Sequence, residues 1–249
     1  MLRRAVFVGL LVLIGVALVA YCETPPSSTP STPQQMGMPQ GYQPDEDWTY
    51  FVDEPQTHFQ MAREQAAKKD MKAASVELRK SAAFMRLEAM RADMESKQAI
   101  EASAKGIDAL ADRVQQGASG AEGEMDQAFA HANQVLAQSH YKMAAEAYGK
   151  NETKAAGREL QAADMDIDNG MKWIGKAWTE TAAATKMTAR QVAGEMASDA
   201  KVAQDDAKRA MEETGRGIEN LGKNIQDYGK RAQTPSKETE PKVDPPGGK

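Results

Sequence analysis

The sequence predicts an all-α protein in which two repeated helical hairpins form an antiparallel four-helix bundle, followed by an extended C-terminal amphipathic helix. Proline is absent between Pro55 and Arg231, so nothing in that stretch must break a helix. Apolar residues make up 41% of the chain, with aromatics only 6% and alanine abundant. Alanine favours helices and lets their axes approach closely. An internal repeat at an offset of 82 residues is the third observation.

The repeat aligns residues 56–78 with 138–160 and contains 11 identities in 23 positions. Each copy reads as one helix carrying His and Met, a short polar turn, and a second helix that opens with Lys-Ala-Ala. A hairpin of this kind leaves an apolar stripe that another helix must cover. Two such hairpins therefore predict a four-helix bundle.

Turn-forming residues predict where the helices end. Pro55 suits the first turn of a helix that runs to about residue 67, and residues 68–70 form a turn. A long helix is expected over 71–116, ended by the glycine-rich segment 117–123. A third helix follows over 124–148, then a turn at 149–151, and helical sequence resumes at 152.

Residues 187–232 predict a coiled-coil-like arm. Apolar and alanine positions from Val192 to Tyr228 recur at alternating spacings of three and four residues. Gly215, Gly217, Gly222 and Gly229 each weaken an isolated helix by about 1 kcal/mol, so the arm is expected to need a partner surface.

The two ends of the chain differ in composition from the helical domain at 51–186. Residues 1–22 combine Arg3 and Arg4 with the apolar run 5–21, which predicts a signal peptide or membrane anchor. Residues 23–50, rich in Pro, Ser, Thr and Gln, predict a disordered tether, and residues 233–249 a disordered tail.

Cys22 is the only cysteine, which excludes an intramolecular disulfide. Val19-Ala20-Tyr21-Cys22 resembles a bacterial lipobox, so Cys22 is a lipidation candidate, although Tyr21 replaces the usual small residue. Conventional cleavage after Ala20 or Cys22 and retention as an anchor are the alternatives. All three predict an extracytoplasmic protein, either a membrane-anchored lipoprotein or periplasmic.

Charge and motifs exclude several functions. The net charge is −5 and basic residues alternate with acidic ones, which argues against nucleic-acid binding. No G-x-S-x-G, Walker or dinucleotide motif is present, and Cys22 lies beside a flexible tether that cannot hold a nucleophile against a base. We therefore expect a protein that is not an enzyme and needs no cofactor.

Two groups of residues are candidate sites. His58 with Met61 and His140 with Met143 occupy equivalent repeat positions, and imidazole and thioether could bind copper or haem. The alternative is packing at the end of the bundle. Trp173, Ile174 and Trp178 could form an interaction patch, because tryptophan is enriched at interfaces, or could be buried against the bundle.

The polar turns alternating with A-x-x-x-L and K-A-A-x-x-x-L helices resemble the helical-hairpin cores of small exported bacterial proteins, including the YfdX group. A tetratricopeptide array is excluded, because its period is about 34 residues. The resemblance implies no site residue. We expect a structural or interaction protein of the cell envelope that binds a protein partner, or a second copy of itself, through helical surfaces. The alternative is a periplasmic copper- or haem-binding protein.

Overall fold

A computed structural model describes residues 48–117, 121–198 and 200–233, and every regular element in them is an α-helix. The all-α helical bundle is thus confirmed. Cys22, the N-terminal segment and most of the tether lie outside the described residues, as does most of the C-terminal tail. The helices are α1 (Trp48–Ala67), α2 (Met71–Ala89), α3 (Met94–Gln115), α4 (Ala121–Gly149), α5 (Thr153–Trp173), α6 (Glu180–Ala197) and α7 (Gln204–Gln233).

The turns of the two hairpins have the same geometry in both copies of the repeat. Lys69, between α1 and α2, has φ 62°, and Asn151, between α4 and α5, has φ 61°. These residues are 82 positions apart, so the two copies of the repeat share the same left-handed turn conformation as well as residue identities. Asp70 then caps α2 by accepting a hydrogen bond from the Ala73 amide at 2.9 Å.

Two predicted continuous helices are each divided into two. The helix expected over 71–116 is interrupted at residues 90–93, where Asp93 accepts hydrogen bonds from the amides of Glu95 and Ser96 and starts α3. The arm expected over 187–232 is interrupted after α6, which ends at Ala197, and α7 begins at Gln204. Helix α7 packs on α4, α5 and α6, so it is not an extended arm.

The seven helices of the described chain form two bundles that share α4. Helices α1 to α4 enclose one apolar core, with Phe59, Leu78, Ile107 and Phe129 fully buried. Helices α4 to α7 enclose the second, with Ala137, Leu160, Met196 and Leu221 buried. We call them the first bundle and the second bundle. Helix α4 contributes to both cores: Met125, Phe129 and Leu136 belong to the first, and Ala130, Ala137 and Ala144 to the second.

The structural repeat is longer than the one visible in the sequence. Each of the nine buried positions of α2 has a buried counterpart 82 residues later in α5. The three buried positions of α6, Ala189, Ala193 and Met196, likewise correspond to buried Ile107, Ala111 and Val114 of α3. The repeat therefore comprises four helices. The last two pairs, α3 with α6 and α4 with α7, lack detectable identity, in part because alanine and larger apolar residues replace one another.

Charged residues on the outer face of α7 oppose the packing of a further repeat unit. Ala130 and Ala137 of α4 are buried against the second bundle, whereas their counterparts Glu212 and Glu219 are exposed. A third unit could not pack there without burying those carboxylates. Substitutions of this kind are typical of terminal repeats, which need a polar outer face.

Glycines allow α7 to lie close to α4. A Cβ atom at Gly215 would lie 3.5 Å from the Tyr141 hydroxyl, and one at Gly222 would lie 2.5 Å from Nε2 of Gln134. Gly229 makes the corresponding approach to Gln127. The three glycines are spaced seven residues apart along α7. The residues of α4 that they face are also spaced by seven, but their numbers fall as those of the glycines rise, so the two helices are antiparallel. The partner surface expected for this segment is α4 of the same chain.

None of the described helices combines the length and apolarity that a membrane-spanning segment requires.

Candidate functional site: buried ion pairs and paired grooves

His140 lies at the centre of a buried group of charged side chains. Its Nδ1 is 2.7 Å from Oε2 of Glu159, and its Nε2 is 3.8 Å from Oδ2 of Asp166. Only 2% of His140 is exposed. Helix α4 supplies the histidine and α5 both carboxylates, so the group stabilises the tightly packed hairpin of the second bundle.

Arg91 connects this group to the first bundle. It follows α2, and its guanidinium is 3.1 Å from Oε2 of Glu88 and 2.7 Å from Oε1 of Glu159. Glu88 belongs to α2 and Glu159 to α5, so one side chain bridges helices of different bundles. The break at residues 90–93, which the sequence did not indicate, is therefore where Arg91 makes this connection.

The charges around His140 favour its protonated form. Burial disfavours the imidazolium, but the hydrogen bond to Glu159 and the negative charges of Asp166, Glu159 and Glu88 outweigh that cost and raise the pKa of His140. A protonated imidazole donates from both nitrogens. It can therefore stabilise carboxylates on both sides at once.

His58, the repeat counterpart of His140, makes the same contact in a less enclosed place. Its Nδ1 is 2.6 Å from Oε2 of Glu77, which is the counterpart of Glu159. Glu77 also pairs with Lys80 at 2.8 Å, and the ring of His58 stacks on Phe84. Burial disfavours the Glu77 carboxylate, but the hydrogen bonds from Lys80 and His58 outweigh that cost and lower the pKa of Glu77.

The structure does not gather the predicted metal ligands into one site. Each histidine is bound to a glutamate of its own hairpin, while Met61 is 39% exposed and Met143 is half-buried. Within the described residues, no three His, Cys, Asp or Glu side chains are placed to hold a metal ion. The geometry supports the packing interpretation of these residues.

The proposed aromatic patch is mostly turned inward. Ile174 is buried, and Trp173 packs edge-on against Phe129 while its indole N–H donates to Gln56 at 3.0 Å. The indole N–H of Trp178 donates to Asp168 at 2.9 Å. Burial against the bundle, the alternative interpretation, describes Trp173 and Ile174.

Two surface grooves occupy equivalent positions in the two bundles. One lies between α3 and α4, has a volume of about 740 Å³, and includes Ala102, Leu110 and Ala128. The other lies between α6 and α7, has a volume of about 370 Å³, and includes Ala184, Val192 and Ala210. All nine residues that line the second groove have their counterparts, 82 residues earlier, in the lining of the first. We call these the paired grooves.

Neither site could be read directly from the sequence. The histidines and glutamates were visible at an offset of 82, but their pairing required the hairpins to fold. The grooves involve α3, α6 and α7, whose repeat relationship has no clear trace in residue identity. Burial at matching positions is the signal that reveals it.

Comparison with known proteins identifies no relative of this chain. No family model matches the chain, and neither a curated protein nor a solved structure matches it.

Proposed function

We propose that this chain is a non-catalytic interaction protein of the bacterial cell envelope that binds a protein partner through the paired grooves. The observation that carries the proposal is the equivalence of the two grooves. Repeat proteins bind through surfaces that recur with the repeat, because each unit presents the same helix faces. Two equivalent grooves favour a partner that offers two similar helical segments.

The lining of the grooves suits a helix. Ala102, Gly106 and Ala128 leave room for a close approach, over a floor formed by the buried residues Ile107 and Leu110. The second groove is more polar, with Thr185, Thr188 and Glu213 at the positions of Ser103, Gly106 and His131. The first groove is therefore expected to bind more strongly.

The buried ion pairs support a structural role. Arg91, Glu88, Glu159 and His140 contact one another, so their charges are used to hold helices together rather than being presented to a substrate. The charged face of α7 at Glu212 and Glu219 argues against self-association by stacking of further units. A protein partner is the better candidate.

The envelope assignment depends on residues 1–22, and the intact mass of the mature protein tests it. We expect a lipid-modified N-terminus at Cys22 in the membrane fraction. Recovery of the full-length, unmodified chain from the cytoplasm would contradict an extracytoplasmic protein, while leaving the grooves to be tested separately.

Photo-crosslinking in the native envelope tests the grooves. A benzophenone side chain introduced at exposed Ala102 or Ala184 is expected to capture the same partner, recognised by one adduct mass for both positions. Ala109 is exposed on the same helix as Ala102 but does not line a groove, so it is the matched control. Adducts of equal yield at Ala109, or none at Ala102 and Ala184, would contradict binding in the grooves.

A further inference from the structure

The second bundle contains a cavity that the first bundle fills with side chains. The cavity has a volume of about 270 Å³ and lies among α5, α6 and α7. Its lining includes Asp164, Ile167, Trp178, Lys186 and Gly217. It adjoins the second of the paired grooves and shares Thr185, Ala189 and Glu213 with it.

The equivalent positions of the first bundle show how this part of the core is built without a cavity. In the first bundle the counterparts of Asp164, Lys186, Thr214 and Gly217 are Ala82, Ala104, Ala132 and Val135, all of them buried. Small and branched apolar residues there are replaced in the second bundle by a carboxylate, an ammonium, a hydroxyl and a glycine. The backbone positions are retained and the chemistry is changed.

The introduced charges are held in fixed positions. Lys186 forms an ion pair with Asp164, lies 2.8 Å from Oδ1 of Asp168, and places its ammonium 5.1 Å from the ring centroid of Trp178. Arg190 pairs with the same two aspartates. Burial opposes ionisation of Asp168, but the bonds from Lys186 and Arg190 outweigh it and lower the pKa of that carboxyl.

Such an arrangement of buried charges around a cavity is not expected to stabilise the fold. A buried ion pair generally stabilises a fold no better than packed apolar residues of similar volume, and a cavity forfeits packing contacts. Departures of this kind from good packing are expected where a protein binds something. In the first bundle, the positions of Ala182, Ala189 and Gly217 are occupied by buried Ile100, Ile107 and Val135, so the same helices can fill this space with apolar side chains.

The charges that line the cavity restrict the ligand. Asp164 and Glu213 contribute two carboxylates, and Lys186 and Arg216 contribute two cations, so the lining is neutral overall. Asp164 is paired with Lys186 and Glu213 with Arg216, so a ligand with a net charge would bring in a charge that no free counterion balances. A neutral ligand that carries both an acidic and a basic group adds no net charge to the cavity.

We propose that this cavity binds a free α-amino acid with an apolar side chain. Arg216 pairs with Glu213 through Nε and Nη2, which leaves the hydrogens of Nη1 outside that pair for a ligand carboxylate. The carboxylate of Glu213 and the hydroxyl oxygen of Thr214 accept from the ligand ammonium. The apolar side chain lies against Ile167 and Ala189.

NMR titration of the full chain with L-leucine tests the proposal. The chain has three tryptophans, and Trp178→Phe assigns the indole N–H signal of Trp178. We expect that signal to shift saturably, with a dissociation constant on the order of 1 mM or below, while the Trp173 signal stays in place. Absence of a saturable shift would overturn the proposal.

Ligand analogues and variants provide the controls. 4-Methylpentanoate lacks the ammonium group and 3-methylbutylamine lacks the carboxylate, and each should bind about tenfold more weakly than leucine. Arg216→Gln, at a largely exposed position, should weaken leucine binding by a similar factor. Gly217→Val restores the residue of the first bundle and should abolish binding. Equal affinity for all three compounds, or unchanged binding to either folded variant, would overturn the proposal.

Discussion

The first and second bundles have corresponding helices but different cores. The buried apolar residues of the first bundle form one continuous cluster, whereas those of the second are divided into two clusters. Asp164 and Asp166 are buried in the second bundle, where the first bundle has Ala82 and Phe84, and each lies close to a cation or a histidine. The comparison teaches that the pattern of buried positions can be retained while their chemistry changes, provided that each buried charge has an opposite one nearby.

The two bundles also differ in how closely their helices approach. Gly157 on α5 lies against α6 so tightly that an added Cβ atom would lie 2.6 Å from the carbonyl oxygen of Ala193 and in conflict with the Ala197 amide nitrogen. Its counterpart in α2, Ser75, has a side chain. Contact between backbones thus replaces contact between side chains in the second bundle.

Adding a methyl group at this contact should change stability more than any other substitution considered below. Gly157→Ala should lower the free energy of unfolding by about 3 kcal/mol, because the obstructing atoms belong to the backbone and cannot rotate away. Ser75→Ala should change it by less than about 1 kcal/mol. Urea unfolding of both variants measures the difference. Equal effects would show that the bundles are packed alike.

The next effect compares the two histidines. Because the pKa of His140 is raised in the folded state, its contribution to stability is complete below about pH 6.5 and is lost as the pH rises through the folded-state value. His140→Gln should cost about 2 kcal/mol at pH 5.5 and should flatten the pH dependence of stability above pH 6.5.

His58→Gln is the matched control, since His58 makes the same bond to a glutamate but is less enclosed. We expect this variant to keep the decline in stability above pH 6.5. Unfolding midpoints measured between pH 5 and 9 separate the two histidines. A decline that persists unchanged in His140→Gln would assign the pH dependence to other groups.

The smallest expected effect concerns the glycines of α7. A Cβ atom at Gly215 would make ordinary contact with Tyr141, at 3.5 Å, so Gly215→Ala should raise stability by about 0.5 kcal/mol through helix propensity. At Gly222 the same change must displace Gln134, and the gain should disappear. Thermal unfolding of the two variants measures the difference. Destabilisation by Gly215→Ala would mean that α7 lies closer to α4 along its whole length.

The helical class, the hairpin turns and the equivalence of His58 and His140 could be predicted from the sequence alone. These follow from local properties: proline is absent, polar residues at 68–70 and 149–151 indicate turns, and the hairpin identities are strong enough to recognise. Even the weakness of α7 as an isolated helix could be predicted, because glycine lowers helix propensity in any setting.

The way in which the helices are shared between two bundles depends on tertiary contacts. The break at Arg91, the packing of α7 on α4, the paired grooves and the cavity beside Lys186 depend on contacts between residues distant in sequence. Local patterns specify which face of a helix is apolar, but several neighbours can cover the same face. Close packing and the pairing of buried charges choose among those neighbours, and both require the complete set of helices.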